Sequence, residues 1–152
     1  MKKKLLLLVM MLLLQIVTNA HDIAVKKADG VTISYNWIND HTELVVTYRG
    51  NTYSQYENEF WGNIIIPEPI LYKGETYRVT NIGTQAFDEC SNLTSVTITS
   101  SVMSIGDHTF FGCKNLTSLT IPNSMTNIIE SALLKSLQKG INIINGKKDV
   151  VK

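Results

Sequence analysis

The sequence predicts a β-rich solenoid, in which short right-handed coils stack a parallel ladder of strands behind an N-terminal β cap module. Three observations lead to this prediction. A 23-residue segment repeats with its apolar residues preserved, the residues before it alternate between apolar and polar, and the chain begins with a basic and then apolar leader. Hydrophobic residues make up 44% and charged residues 18% of the chain, which is the balance of a globular protein rather than a disordered one.

The N-terminal residues have the pattern of a secretory signal peptide. Lysines fill positions 2–4, an apolar run covers residues 5–14, and a more polar segment follows that ends in Thr18-Asn19-Ala20. The alternative is a membrane anchor, but the apolar stretch is short for a span, which needs about 20 apolar residues. We therefore predict that residues 1–20 are removed, that His21 becomes the first residue, and that no membrane span remains.

The charge of the exported chain argues against nucleic acid as a partner. The leader contains three of the 14 Lys and Arg residues and none of the 13 Asp and Glu residues, so its removal takes the net charge from +1 to −2. The remaining basic residues are scattered along the chain. Binding to phosphate backbones needs clustered Lys and Arg, so we expect no nucleic-acid binding.

The strongest signal is an internal repeat. Residues 80–102 and 103–125 share eleven identities in 23 positions, and the mismatches are mostly polar. Their central motifs are Leu93-Thr-Ser-Val96-Thr-Ile98 and Leu116-Thr-Ser-Leu119-Thr-Ile121. A period of this length with this spacing is typical of a leucine-rich-repeat solenoid. The residues predicted to form the core of the coils are Ile82, Phe87, Cys90, Leu93, Val96, Ile98, Ile105, Phe110, Cys113, Leu116, Leu119 and Ile121.

Alternation within each coil assigns side chains to two faces. Val96 and Ile98 stand two residues apart on a strand and point to the core, whereas Thr97 points away from it. One coil cannot cover its own apolar edge, so stacking into a parallel ladder stabilises the array. Gly83 and Gly106 suit a sharp corner at which a side chain would clash.

A third copy begins after residue 125 and fades. Ile128 and Ala132-Leu133 match the earlier copies, but the Cys and Leu positions are lost. We predict that residues 134–152 form a C-terminal cap or tail. This tail would contain a helical turn that ends at Gly140 and a hairpin at Asn145-Gly146.

The residues between the leader and the repeats indicate β structure. Residues 31–35 and 43–48 have strand patterns, and Lys73-Gly74 suits a hairpin turn. A solenoid needs a cap at each end, because a bare strand edge pairs with other chains. We predict that residues 21–79 form an N-terminal β cap module that leads into the repeats, which occupy residues 80–133.

The repeat motif resembles a known family. The pattern Ile-Gly-x-x-Ala-Phe-x-x-Cys-x-Asn-Leu-Thr-Ser-Val-Thr-Ile at residues 82–98 resembles the BspA-like leucine-rich-repeat family of bacterial surface proteins. The second copy departs from it at Thr109, which replaces Ala86. The segments at 64–67 and 72–80 are similar to the module that precedes the repeats in that family. The resemblance implies an exported adhesion module that binds a host matrix or surface protein, or another bacterial protein.

The two cysteines admit two interpretations. Cys90 and Cys113 are one period apart, and stacked strands lie about 4.8 Å apart, which is within disulfide range. Export also permits oxidation. Against a bridge, the position points inward and takes a small apolar side chain, and the resemblance places it in the core. We favour two packed, unreactive thiols.

Two surfaces are candidates for binding. The first is the hydroxyl-rich outward side of the repeat strands, although Thr also suits strands for reasons unrelated to binding. It comprises Ser95, Thr97, Thr99, Ser118 and Thr120. The second is the aromatic stretch with Tyr53, Tyr56, Phe60 and Trp61. It is either an exposed contact patch or the core of the cap, and we favour the core.

We predict no catalytic, metal or cofactor site. His21, His41 and His108 lack the spacing of metal ligands, and the carboxylates suggest no acid–base pair. No phosphate-binding glycine loop and no nucleophile motif is present in the sequence. The motifs at 92–94 and 115–117 match the glycosylation pattern, but they recur with the repeat period, where Asn helps to turn the chain.

Three functional hypotheses follow, and the first is favoured. The chain is a secreted or cell-surface protein-binding or adhesion module and not an enzyme. The alternative is a structural capping fragment or a self-associating solenoid piece with no ligand of its own, because only two good copies of the repeat are present. A hydrolase with an unrecognised site ranks last.

Overall fold

The computed structural model describes residues 22–27, 30–49, 59–125, 132 and 142–145. Within these ranges no helix has the length and apolar character needed to cross a membrane, and the predicted leader lies outside them. The described residues form ten strands: β1 (Ile23–Lys26), β2 (Thr32–Ile38), β3 (Glu43–Thr47), β4 (Gly62–Ile65), β5 (Pro69–Tyr72), β6 (Glu75–Ile82), β7 (Leu93–Thr97), β8 (Ser104–Ile105), β9 (Ser118–Ile121) and β10 (Asn142–Asn145).

One wall of the molecule is a parallel ladder, sheet B, with the strand order β4, β7, β9 and β10. The inward residue of each strand lies in register with the next, in the series Ile64, Val96, Leu119 and Ile143. The first three are buried, and Ile143 packs partly buried against the same core. The chain therefore returns to this wall once per coil, as a solenoid requires.

The opposite wall belongs to sheet A, which is mixed. Its strand order is β1, β2, β3, β6 and β5, and β8 also pairs with β6. The pairings of β3 with β6 and of β6 with β8 are parallel, and they align Val46, Ile82 and Ile105 in one series. This second series is shorter than the ladder of sheet B, but it advances by one strand per coil in the same way.

The space between the walls is filled by stacked side chains. Phe87 lies over Phe110 with ring centroids 5.4 Å apart and planes 3° apart, and Phe60 meets Phe87 edge-on at 4.7 Å. Every predicted core residue of the repeats is at most 3% exposed. The predicted solenoid with a parallel strand ladder is therefore confirmed.

The N-terminal strands are continuous with this solenoid. Strands β3 and β4 already belong to the two ladders, whereas β1 and β2 extend sheet A by antiparallel pairing. Strands β5 and β6 form the hairpin expected at Lys73-Gly74, and both turn residues have positive φ, 50° and 87°. That combination is the type I′ turn, whose twist matches the flanking strands.

The C-terminal strand extends sheet B. Strand β10 pairs in parallel with β9 and is a further rung of that sheet. The turn and second arm of the predicted hairpin, from residue 146 onwards, lie outside the described residues. The stacking also continues on the third side of the coil, because the Phe110 N–H donates to the Ala132 carbonyl at 3.0 Å. The predicted helical turn lies mostly outside the described residues.

Candidate binding surface

The outward side of sheet B forms a continuous surface, which we call the ladder face. It arises because alternate residues of a strand point to opposite sides of the sheet, so each buried residue is flanked by two outward ones. In β4, for example, Ile64 is buried while Asn63 and Ile65 are exposed. The ladder face comprises Asn63, Ile65, Ser95, Thr97, Ser118, Thr120 and Ile144.

Parallel register arranges these residues in rows that cross the strands. One row runs Ile65, Thr97, Thr120 and Ile144. The two isoleucines at its ends are 55% and 54% exposed, whereas the threonines between them are half-buried. A second row contains Asn63, Ser95 and Ser118, and the register places Asn142 next to Ser118.

Hydrogen bonds between strands fix the polar end of this surface. The Thr94 and Ser95 hydroxyls each donate to Asn63 Oδ1 at 2.9 Å. The Thr117 hydroxyl donates to the carbonyl of Thr94 at 3.2 Å. Hydroxyl groups of one coil are thus tied to the next, and the Asn63 and Ser95 side chains of the polar row are held together without a partner.

The ladder face is electrically neutral. The sequences of its four strands, GNII, LTSVT, SLTI and NIIN, contain no Asp, Glu, Lys or Arg. A partner would therefore meet hydroxyl, amide and aliphatic groups. Depletion of charge is characteristic of the central part of protein interfaces.

The aromatic stretch next to β4 is divided between surface and core. Trp61 is 49% exposed, whereas its neighbour Phe60 is fully buried. Gly62 follows with a φ of 67° and donates its N–H to the carbonyl of Asn92 at 2.9 Å, where the register of β4 and β7 shifts. Tyr53 and Tyr56 lie outside the described residues. Phe60 thus lies in the core and Trp61 at the surface, and a role of Trp61 in binding stays a prediction.

Thr99 does not belong to the ladder face. It follows β7, and although the residue is half-buried, its hydroxyl oxygen is buried and makes no hydrogen bond to the described residues. The corresponding position in the next coil is Pro122, so no hydroxyl row continues there. Conversely, sequence reasoning missed Ile65 and Ile144, because the two clear 23-residue copies, at residues 80–125, include neither of them.

The buried thiols are not reactive nucleophiles. Cys90 and Cys113 are free and buried, and Cys113 Sγ donates to the carbonyl of Phe87 at 3.0 Å. Burial raises the pKa of Cys90 to about 12 and also raises the pKa of Cys113. A nucleophilic cysteine needs a lowered pKa, so these two residues act in packing.

Among the residues that the structure describes, the other titratable groups do not gather into a metal site. Burial raises the pKa of Glu59, although its carboxylate accepts the Arg49 backbone N–H at 3.1 Å, and burial also raises the pKa of Tyr35. His41 is exposed beside Trp37, and His108 is half-buried beside Phe111. Across the described ranges, no three His, Cys, Asp or Glu residues are placed to share a metal ion.

Comparison with known proteins supports the repeat assignment. Residues 75–150 match a family model described as a BspA type leucine rich repeat region with six copies. No curated protein matches the chain.

Among solved structures, the chain is similar to a leucine-rich repeat protein from Bacteroides ovatus, with 28% identity and a TM-score of 0.55 over 69% of this chain and 24% of that one. A leucine-rich repeat protein from Bacteroides capillosus shares the fold at 21% identity and a TM-score of 0.55, over 82% of this chain and 99% of that one. A leucine rich cell surface protein from Faecalibacterium prausnitzii is 25% identical with a TM-score of 0.47, over 66% of this chain and 24% of that one. The chain thus spans about a quarter of the length of the first and third of these proteins.

Proposed function

Because the chain belongs to the BspA-type leucine-rich repeat family, we propose that it is a secreted or cell-surface module that binds a protein partner and contributes to adhesion. The proposal assigns the contact to the ladder face and no catalytic role to the chain. The observation that supports it best is the uncharged row that ends in two half-exposed isoleucines, Ile65 and Ile144.

The exposure of this sheet favours a docking role. Parallel sheets are usually covered on both sides, because their strands are apolar on both faces. Among the described residues, sheet B is covered by the core on one side, and its other side presents hydroxyl, amide and aliphatic groups together with the nearby Trp61. Exposed aromatic and aliphatic side chains in an uncharged setting are the usual anchors of protein interfaces.

The partner we propose is a host matrix or surface protein, or another bacterial protein. This class of partner follows from the family rather than from any one residue. The neutrality of the ladder face adds an expectation about how the binding depends on salt. Binding that relies on apolar and hydrogen-bonding contacts is little affected by salt, whereas contacts between exposed charges are screened within about 10 Å at 0.1 M salt.

A pull-down with matched variants tests the proposal. The chain from His21 onwards is immobilised and exposed to an extracellular-matrix extract, and retained proteins are identified by mass spectrometry. We expect wild type to retain a ligand at low and at high salt. T97K places a charge at the centre of the ladder face, and we expect it to weaken retention at least about tenfold.

The control variant is M103K. Met103 is 61% exposed but precedes β8, on the other wall, so a lysine there adds the same charge away from the ladder face. M103K is expected to retain the ligand as wild type does. The proposal fails if wild type retains nothing above a chain with scrambled repeats, or if T97K and M103K behave alike.

The N-terminal segments have supporting roles in this proposal. Residues 1–20 direct export, which places the module outside the cell or at its surface. Strands β1 and β2 act as the N-terminal cap, since their antiparallel pairing continues sheet A beyond the first parallel strand, β3. A cap of this kind protects the end of a solenoid from pairing with other chains.

A further inference from the structure

In each row of the ladder face, the order of residue types from β4 to β10 is the same as the order from β10 to β4. From β4 to β10, one row is Ile65, Thr97, Thr120 and Ile144. The other begins with Asn63, Ser95 and Ser118, and the backbone register continues it to position 142, which is also an Asn in the sequence. Strands β7, β9 and β10 lie within the residues that match the repeat family, whereas β4 lies before them, so the repeat does not account for the match between β4 and β10.

This order makes the surface complementary to itself. Consider a two-fold axis that runs parallel to the strands, between β7 and β9, in the plane just above the sheet. The axis lays each row on its own copy in reverse, so that Ile65 faces Ile144 of the partner subunit and Thr97 faces Thr120 of the partner subunit. A two-fold interface requires this kind of self-complementarity.

The neutrality of the ladder face removes the usual obstacle to such a contact. A surface that meets its own copy also meets its own charges, and like charges placed opposite each other oppose association. The four strands have no ionisable side chain, so no repulsion arises. The isoleucines at the two ends of the row, each more than half exposed, gain burial when they pair across the axis.

We propose that the ladder face binds a second copy of this chain, face to face about the axis described above. The inference rests on the proposed function, since it names a partner for the same surface. The four described strands of the ladder face are short and lie about 4.8 Å apart. The surface area that each subunit would bury is therefore smaller than the roughly 800 Å² per partner of a stable complex. Self-association is therefore weak and concentration-dependent, and it becomes significant where many copies are crowded on one surface.

Sedimentation velocity tests the proposal. The chain from His21 onwards is run from about 10 µM to about 1 mM, a range that brackets a weak dimer. We expect the sedimentation coefficient to rise with concentration towards that of a dimer. In T97K/T120K, lysine faces lysine across the axis, and we expect the dissociation constant to rise at least about tenfold.

A charge-complementary variant tests the axis itself. In T97K/T120E, the lysine introduced in β7 faces the glutamate introduced in β9 of the partner subunit, so we expect a dissociation constant within about threefold of wild type. If each strand instead faced its own copy, lysine would meet lysine and this variant would dissociate like T97K/T120K. L71K is the control, since Leu71 is 72% exposed in β5 of sheet A and is expected to leave dimerisation unchanged.

The outcomes separate this inference from the proposed function. A wild type that stays monomeric up to the highest concentration overturns the inference, and so does loss of the dimer in L71K or T97K/T120E. If that monomeric wild type still retains a ligand that T97K loses, the proposed function stands alone. If it retains none, both fail. Thermal unfolding of each variant identifies any that lose the dimer by losing the fold.

Discussion

The cysteines occupy the same place in successive coils and illustrate how the repeat selects residues. Cys90 and Cys113 are at most 2% exposed, and the thiol of the second coil donates to the Phe87 carbonyl of the first. Position within the repeat predicted packed thiols, because an inward position takes a small apolar side chain. The hydrogen bond could not be predicted, since it depends on how one coil sits on the next.

Thiol reactivity tests this packing. Burial raises the pKa of Cys90 to about 12 and raises that of Cys113, so we expect the native chain to take up no thiol reagent near pH 8, where an unfolded cysteine with a pKa of about 8.5 reacts. After unfolding in denaturant, both thiols should be labelled. Mass spectrometry of the labelled chain gives the count. Rapid labelling of the native chain would contradict the packing.

Because of these raised pKa values, the stability of the folded chain decreases as the pH rises. The folded chain keeps protons that the unfolded chain releases above about pH 8.5, so this contribution to stability is complete below that pH and is lost as pH rises towards the folded pKa. Tyr35 contributes in the same direction at higher pH, because burial raises its pKa also. We expect the C90A/C113A variant to lose stability less steeply between about pH 8.5 and 10.

Thr109, a mismatch between the two copies of the repeat, has a buried hydroxyl group. It replaces Ala86 at a fully buried position, and its hydroxyl donates to the carbonyl of Gly106 at 2.7 Å and lies 3.1 Å from the carbonyl of Gly83. A buried hydroxyl is tolerated when it is hydrogen-bonded. The sequence revealed the substitution, but the carbonyls that accept the bond belong to two different corners and meet only in the folded chain.

At the scale of elements, backbone conformation and space at the corners of the coil limit which residue types can occupy a repeat position. Gln85 and His108 share a repeat position, and both have positive φ, at 58° and 53°. Glu89 and Gly112 share another, at 53° and 70°, and the Glu89 carboxylate occupies the space that a Cβ on Gly112 would need. The second coil thus uses glycine where the first already fills the available volume.

The glycine at the sharp corner is required by close approach rather than by its φ. A Cβ on Gly106 would overlap the Thr84 nitrogen and come within 2.8 Å of Thr84 Cα. We expect G106A to lower the free energy of unfolding by about 1–3 kcal/mol, because backbone must move to make room. T84A is the control, since Thr84 is exposed and should change stability by no more than about 0.5 kcal/mol. Equal urea midpoints for the two variants would contradict this account.

The strand pattern predicted elements better than it predicted their partners. The hairpin at Lys73-Gly74 could be predicted, because its turn residues act locally. The parallel pairing of β3 with β6 could not, because the two strands are distant in sequence and share no repeat motif. For the same reason Ser95 and Thr97 were recognised as surface residues, while Ile65 and Ile144 were not.

At the scale of the whole molecule, the two ladders join parts of the chain that differ in sequence pattern. Residues 21–79 were predicted to form an N-terminal β cap module that leads into the repeats. In the structure, β3 and β4 supply parallel strands to sheets A and B, next to β6 and β7. A solenoid of stacked neighbours unfolds cooperatively when such interfaces are strong relative to each coil. The apolar series that include Val46 and Ile64 are continuous with those of the repeats.

This continuity predicts one unfolding transition for both parts. The two tryptophans, Trp37 and Trp61, precede the repeats, so their fluorescence reports on the N-terminal strands, whereas circular dichroism reports on all strands. We expect coincident urea midpoints. L119A, which truncates a buried residue of β9, should lower both midpoints through a loss of about 2–5 kcal/mol, while M103A at an exposed position should lower neither. If L119A shifts only the dichroism, the N-terminal strands are a separate folding unit, and the shared ladders do not couple them to the repeats.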